Sequence, residues 1–277
     1  MTSEPRQPFR LLGELKHHAP NIDPVTLDVL ADMYSASHLW GAASDQPVKL
    51  DCDTRISIAQ GAQINRIVRE SATRNSLEIG FAYGFSTLWI LDAMRGRPSA
   101  RHVAIDPFEL TTWGGVGLQQ VKRLSVAAHF EWLEEYSMHV LPKLMRAGER
   151  FDFIFIDGNH RFDDALVDFY LCDRLLDPGG IVAFDDVGMP SIHSVINFVL
   201  TNRQYKVIQQ PAGNMLALRK LADDKRDWFH FKGFKVINPG RQRMIAALKQ
   251  NTVRLSRATG TEKMLREIQT TLTGKVK

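Results

Sequence analysis

Cysteine is nearly absent: the 277 residues include only Cys52 and Cys172. Two are too few for a disulfide framework, and they are not spaced as zinc ligands. Long apolar runs are missing as well. The longest uncharged stretch, Val187 to Asn202, has 16 residues and contains Gly188 and Pro190, short of the roughly 18 apolar residues of a bilayer-spanning helix. The first 30 residues carry Glu4, Arg6, Arg10, Glu14, Lys16 and Asp23 with no apolar core between them, so no secretory signal is expected. There is no internal repeat and no low-complexity tract. A cytoplasmic protein with no membrane partner is the expectation.

What is present is ordinary in bulk and uneven in charge. Hydrophobic residues make up 44% and charged residues 24%, which excludes global disorder and coiled coil. From Arg219 to Lys277 there are 15 Lys/Arg against five Asp/Glu, a net charge of +10, while residues 1–218 carry a net charge of −6. A basic tail beside an acidic body suits an anionic partner, packing on the body, or plain solvation.

Residues 9–40 show helical spacing, interrupted at Pro20 and Pro24. Residues 41–53 are polar and contain Gly41, reading as a linker or mobile loop. Ser57 with Gln60 three residues on marks a helix start through a capping box. After Ser71, short apolar runs alternate with amphipathic segments. Strands are expected at 76–80, 102–106, 130–133, 151–157, 180–185, 206–209 and 215–218. Helices are expected at 87–94, 117–125, 139–146, 163–176 and 192–201. Short, largely apolar runs such as Phe151–Ile156, alternating with helical patterns, predict a parallel sheet covered on both faces. The fold class expected is α/β, doubly wound. Its domain spans residues 55–220, with a helical extension at 1–54 and a basic extension at 221–277.

Open sheets of this class bind ligands beyond the carboxyl ends of their strands, and four such ends carry distinctive chemistry. The first is Glu78-Ile79-Gly80-Phe81-Ala82-Tyr83-Gly84, followed by Phe85-Ser86. Its glycines, four apart, do not make the dinucleotide fingerprint, and Glu78 suits a ligand with positive charge. At the second, Val103-Ala104-Ile105-Asp106, the acid is placed for ribose hydroxyls. The third, ending at Asp157, is followed by Gly158-Asn159-His160. There His160 is a candidate general base, with an unperturbed pKa of about 6.5. The fourth ends in Asp185-Asp186, which with Asp157 form a candidate all-oxygen site for Mg²⁺.

In combination these segments resemble a class I S-adenosylmethionine-dependent methyltransferase, over about residues 55–220. The closest branch is the small-molecule O-methyltransferases of the catechol and macrolide-sugar type. The resemblance implies a seven-stranded, mostly parallel Rossmann-like sheet. It also implies cofactor contacts from Glu78, Gly80, Tyr83, Gly84, Ser86 and Asp106. Glu135, Tyr136 and Ser137 match the adenine-side loop, where many members carry an acid at the position of Tyr136. Metal ligands fall on Asp157, Asp185 and Asp186, and the catechol enzymes' base falls on His160. Those enzymes have Lys where His160 stands and Asn where Asp186 stands. Asp157-Gly158-Asn159-His160 replaces the Asp/Asn-Pro-Pro-aromatic run of many amino-methylating enzymes, which favours oxygen as the acceptor atom.

The expected activity is therefore methyl transfer to a hydroxyl of a sugar, phenol or natural product, assisted by Mg²⁺. A rival is RNA methylation or nucleic-acid binding through the tail, with Trp228, Phe229, Phe231 and Phe234 stacking on bases. A cofactor-binding protein without catalysis is a third reading. Trp113-Gly114-Gly115 suits an acceptor wall or a surface loop, and the N-terminal helices suit a lid or a homo-oligomer interface.

Overall fold

The computed structural model describes residues 8–208 and 213–234. Two helices open the chain, α1 (Pro8–His18) and α2 (Pro24–Ser35). Asp23 caps α2, its carboxylate accepting from the Val25 and Thr26 amides, and Pro24 takes the first turn, where its missing N–H costs nothing. A two-stranded ribbon follows, β1 (His38–Leu39) with β2 (Val48–Lys49). The expected capping box then starts α3 (Ile58–Glu70): Ser57 and Gln60 each accept the other's backbone N–H.

Next come β3 (Asn75–Ile79), α4 (Phe85–Met94), β4 (Arg101–Ile105), α5 (Val116–Val121), β5 (Phe130–Leu133) and α6 (Ser137–Arg146). They are followed by β6 (Phe151–Ile156), α7 (Phe162–Leu175), β7 (Leu176–Phe184), α8 (Pro190–Asn202), β8 (Tyr205–Val207) and β9 (Leu216–Lys220). The seven main strands lie in the order β5-β4-β3-β6-β7-β9-β8. The first five are parallel, and β9 runs antiparallel to both its neighbours. The sheet is thus seven-stranded and mostly parallel, as expected. Its strand succession reverses between β3 and β6, which puts the cleft at their tips.

Alternate side chains of each strand enter different cores. Phe153, Phe155, Ile181 and Ala183 face α1–α5, while Ile154, Ile156, Val182 and Phe184 face α6–α8. Burying each large side chain contributes roughly 1.5–3 kcal/mol, so both faces favour the same register. All ten residues of α4 are buried, because α2 and α3 cover the side turned away from the sheet. Gly61 permits this approach: a Cβ there would stand 2.1 Å from Trp89 Nε1. Asp92, wholly buried, accepts from Asn65, Arg69 and the Asp23 amide at 2.9 Å each, tying α2 and α3 to α4.

The N-terminal helices therefore share the main core, and the described residues belong to one compact unit ending at Phe234. At the other edge, Lys220 is buried, lying 2.8 Å from Asp223 Oδ1 and 3.4 Å from Asp173 Oδ1. The Tyr205 hydroxyl donates to Asp173 at 2.7 Å.

Some expectations need correcting. Residues 41–53 are not a free linker: the Ala42 and Ala43 amides donate to Gly115 O and Gly114 O at 2.9 and 3.1 Å. The helix expected at 117–125 is only the six residues of α5. Strand β7 begins at Leu176, with an irregular register opposite Phe151–Phe153, rather than after the Pro-Gly turn. Among the described residues no helix is long and apolar enough to cross a membrane. Trp228, Phe229 and Phe231 are exposed, while residues 235–277 of the basic extension lie outside the described residues.

Candidate active site

A cavity of about 1060 Å³ opens beyond the tips of β3, β4, β6 and β7. Its first wall is the turn from Gly80 to Ser86. Gly80 has φ +91°, and a Cβ there would stand 2.0 Å from the Asp157 carbonyl oxygen. Only glycine lets the tips of β3 and β6 close this tightly. Tyr83 stands edge-on to Trp113, ring centroids 5.1 Å apart. Its hydroxyl donates to Lys49 O and accepts from the Asp51 amide, both at 3.3 Å. These contacts hang the 41–53 segment beside the cavity, whose rim includes Asp53 and Arg55.

Asp106 at the tip of β4 lines the same cavity and is nearly buried. One carboxylate oxygen accepts from the Phe81 and Ala82 amides at 3.0 and 2.8 Å, the other from the Phe108 amide at 2.8 Å. The residue thus laces the two motif loops together, and its second oxygen keeps a lone pair for a ligand hydroxyl.

Asp157, His160 and Asp186 offer ligand atoms that all lie within 4.8 Å of one another. His160 Nε2 is 2.8 Å from Asp186 Oδ2 and 3.8 Å from Asp157 Oδ1. Asp157 and Asp186 together hold the imidazole pKa well above its ordinary range, while His160 holds Asp186 below the usual carboxylate range. Burial, with Asp185 and Asp186 close by, pushes Asp157 up. The expectation of an imidazole poised near its unperturbed pKa is therefore corrected: both partner acids favour the imidazolium. Asp186 has φ +52°, and its other oxygen accepts from Asn214 at 2.6 Å.

Asp185 stands apart from this trio. Its Oδ1 accepts from Gln60 Nε2 at 2.8 Å, and burial raises its pKa. The Gln60 carbonyl is held by the Ser57 amide and hydroxyl at 3.0 and 2.8 Å, so its amide group is the part left to face Asp185.

Of the residues singled out from sequence, Gly80, Tyr83, Gly84, Ser86, Asp106, Tyr136, Ser137, Asp157, His160, Asp185 and Asp186 line the cavity. Glu78 and Glu135 are not among its lining residues. Glu78 is wholly buried, accepting from the Thr87 hydroxyl and lying 3.1 Å from His102 Nε2. Its neighbours Leu77 and Ile79 pack with α6–α8, and strand alternation therefore turns Glu78 toward the α4 side, under the motif loop. Glu135 is exposed and accepts from the Tyr136 amide at 3.0 Å, with His139 Nδ1 3.1 Å away.

The sequence reading missed Gln60 as a cavity residue, and also Asn214 and Asp168. A signal existed for Asp168: it shares the buried face of α7 with Ala165, Phe169 and Cys172, an unexpected place for an acid. Its carboxylate accepts from the Ser137 hydroxyl at 2.6 Å, and burial pushes its pKa up to about 6.

The lining includes eight aspartates against Arg55 and Arg161. A cavity so charged favours a cationic ligand or a bound cation. Adjoining it, buried Glu109 accepts from the Leu118 amide at 2.9 Å, and burial pushes its carboxyl up to about 8.

Comparison with known proteins agrees with this geometry. A family model described as a methyltransferase domain matches residues 77–187, the span that supplies both motif loops and the acidic strand tips. No curated protein matches the chain. Several solved structures share the fold. An O-methyltransferase from Bacillus cereus, in complex with SAH, is 18% identical, with TM-score 0.57 over 76% of this chain and 97% of that one. The O-methyltransferase TomG from Streptomyces achromogenes, involved in tomaymycin synthesis and bound to SAM, is 20% identical, with TM-score 0.55 over 77% and 99%. The SAH-bound methyltransferase PaMTH1 of Podospora anserina is 16% identical, with TM-score 0.59 over 80% and 98%.

Proposed function

From the match to a methyltransferase-domain model at residues 77–187, we propose that this chain transfers a methyl group from S-adenosylmethionine to a hydroxyl of a small molecule. The observation that carries the reading is the coincidence of cavity and match. Every lining residue from Ile79 to Asp186 lies inside the matched span, and the lining is acidic, which suits a sulfonium ligand. The neighbours' SAM and SAH complexes support the cofactor.

The residues present fit that cofactor. Gly80 and Gly84 bring backbone to the cavity wall, and Asp106 offers an acceptor to ribose hydroxyls. When bound, S-adenosylmethionine supplies a methyl group already activated on sulfur. The chain's own task is to align the acceptor oxygen with that methyl and to take the hydroxyl proton. Alignment of this kind is worth up to about 7–11 kcal/mol in favourable systems. We assign the proton to the Asp157–His160 pair, with His160 acting as base once it has left Asp186 and given its own proton to solvent.

Asp157, Asp185 and Asp186 would supply the oxygen ligands that a hard divalent cation such as Mg²⁺ takes; Asp157 and Asp186 already offer atoms within 4.8 Å of each other, and Asp185 is the one that must approach. Such an ion would lower the pKa of a coordinated hydroxyl. To serve there, Asp186 must exchange His160 for the ion, and Asp185 keeps one oxygen free of Gln60.

Labelled methyl transfer to a panel of sugars and phenols, with Mg²⁺ and with chelator, tests the reading. His160→Ala is expected to lower turnover far more than cofactor affinity, and unchanged turnover removes His160 from the mechanism. The RNA-directed alternative draws on Trp228, Phe229 and Phe231, which are 88, 78 and 68% exposed. A gel shift with RNA that weakens steeply with salt supports it, and no shift at low salt dismisses it.

A further inference from the structure

The two acids at the tip of β7 each carry a carboxamide from elsewhere in the fold. Gln60 Nε2, on the first turn of α3, donates to Asp185 Oδ1 at 2.8 Å. Asn214 Nδ2, shortly before β9, donates to Asp186 Oδ1 at 2.6 Å. All four residues line the cavity, and Gln60 and Asp185 are 7% and 9% exposed. Gly213 joins the two carboxamides: an added Cβ there would stand 3.0 Å from Gln60 Cγ, so the backbone leading into Asn214 packs on the side chain of Gln60.

Neither carboxamide is free to turn over. Gln60 Oε1 accepts from the Ser57 amide and hydroxyl at 3.0 and 2.8 Å, and Asn214 Oδ1 accepts from the Gly188 amide at 2.7 Å. A backbone N–H can only donate, so each side-chain oxygen is fixed on its amide and each NH₂ group must face its acid. The Val187 amide, donating to Asn214 O at 2.9 Å, ties the same loop to the tip of β7. An acid gripped at one oxygen meets a cation through the other. On Asp186 that other oxygen is the one 2.8 Å from His160 Nε2, and Asp185 keeps Oδ2.

We propose that Gln60 and Asn214 are positioning residues that hold Asp185 and Asp186 to one-oxygen coordination and thereby make the site select a small octahedral cation, Mg²⁺, over Ca²⁺. Mg²⁺ takes an octahedron of ligands at about 2.0–2.1 Å, whereas Ca²⁺ takes roughly six to eight oxygens at about 2.3–2.6 Å, often both from one carboxylate. For Ca²⁺ to take both oxygens here, a hydrogen bond to a charged group must break at each acid. The inference rests on the divalent-cation reading above and adds to it two residues from outside the strand-end motifs.

Calorimetry of the full chain with MgCl₂ and with CaCl₂, in separate titrations, tests this through the ratio of the two affinities. The wild type is expected to bind Mg²⁺ the more tightly. In Gln60→Met and in Asn214→Leu, each close in size but without the donor, the ratio should move toward Ca²⁺ by about tenfold, since a hydrogen bond to a charged group no longer opposes two-oxygen binding. Gln60→Glu keeps an acceptor for the Ser57 amide, and so the capping box, while removing the donor; it should shift the ratio the same way with α3 intact. A merely structural role would weaken both ions alike. A ratio that stays put in a variant strikes that residue from the proposal, and in all three variants overturns it. A wild type that prefers Ca²⁺ overturns it as well. If the wild type binds neither ion, the cation reading falls and this proposal with it, while a titration with S-adenosylhomocysteine shows whether the methyl-transfer reading still stands.

Discussion

Replacing Gly80 with alanine should damage the site and the fold together, by an amount the geometry lets one separate into two parts. The first is backbone strain. Gly80 sits at φ +91°, where an L side chain costs roughly 1–2 kcal/mol. The second is collision. The new Cβ would stand 2.0 Å from the Asp157 carbonyl oxygen and 2.7 Å from its carbon, far inside normal contact. Relief means spreading strands laced by Gly80 N to Ile105 O at 3.0 Å and Asp157 N to Ile79 O at 2.9 Å. Overpacking of this kind costs roughly 1–3 kcal/mol, for a total of about 2–5 kcal/mol. Gly148 supplies the control: its φ is +75°, but no heavy atom lies within 4 Å of its would-be Cβ. Gly148→Ala should show only the strain part and keep cofactor affinity. Urea unfolding measures both losses, and calorimetry with S-adenosylhomocysteine measures the site, where Gly80→Ala should lose more than about tenfold as Asp157 shifts. If the two variants are equally stable and bind alike, the close approach at Gly80 does not matter and the reasoning fails.

Three further outcomes are expected. Burial raises the Glu109 carboxyl from 4.5 to about 8, so its contribution to stability is fully present below about pH 4.5 and is lost as pH rises through about 8. Unfolding free energy followed from pH 5 to pH 8 should therefore fall less in Glu109→Gln than in the wild type, by a few kcal/mol; parallel curves would contradict this. In metal-free protein, Asp157 and Asp186 should keep His160 protonated above neutrality, visible by nitrogen-detected NMR of the ring, and a midpoint near 6.5 would show the pair is not formed. Asp92→Ala should leave the Asp23 amide without its acceptor and reduce Asn65 and Arg69 to the backbone carbonyls of residues 89 and 92, at a cost of about 1–3 kcal/mol in denaturant unfolding. A loss below about 1 kcal/mol would mean that α2 and α3 are not anchored through it.

The sheet was legible because its strands are apolar runs that end in acids or glycine, and local pattern is enough to place such strands. Asp106, Asp157, Asp185 and Asp186 each close a strand, so their meeting in one cavity follows from parallel topology alone. What a side chain does after arriving was less legible. Glu78 stands between Leu77 and Ile79, and its orientation depended on which face those two chose. His160 was read at its unperturbed pKa, and its charge state is set by Asp157 together with Asp186, which comes from another strand tip. Gln60 showed itself as a capping residue, but its bond to Asp185 spans 125 positions, which no local pattern encodes. Residues 41–53 looked loose because their partners, Gly114 and Gly115, lie far along the chain.

The most direct measurement is a crystal structure of the full chain with S-adenosylhomocysteine. The account predicts density for the nucleoside across the tips of β3 and β4, its amino-acid part against Gly80, its ribose hydroxyls on Asp106 and its base toward Tyr136 and Ser137. Ligand density elsewhere, or none in this cavity at saturating ligand, would contradict it.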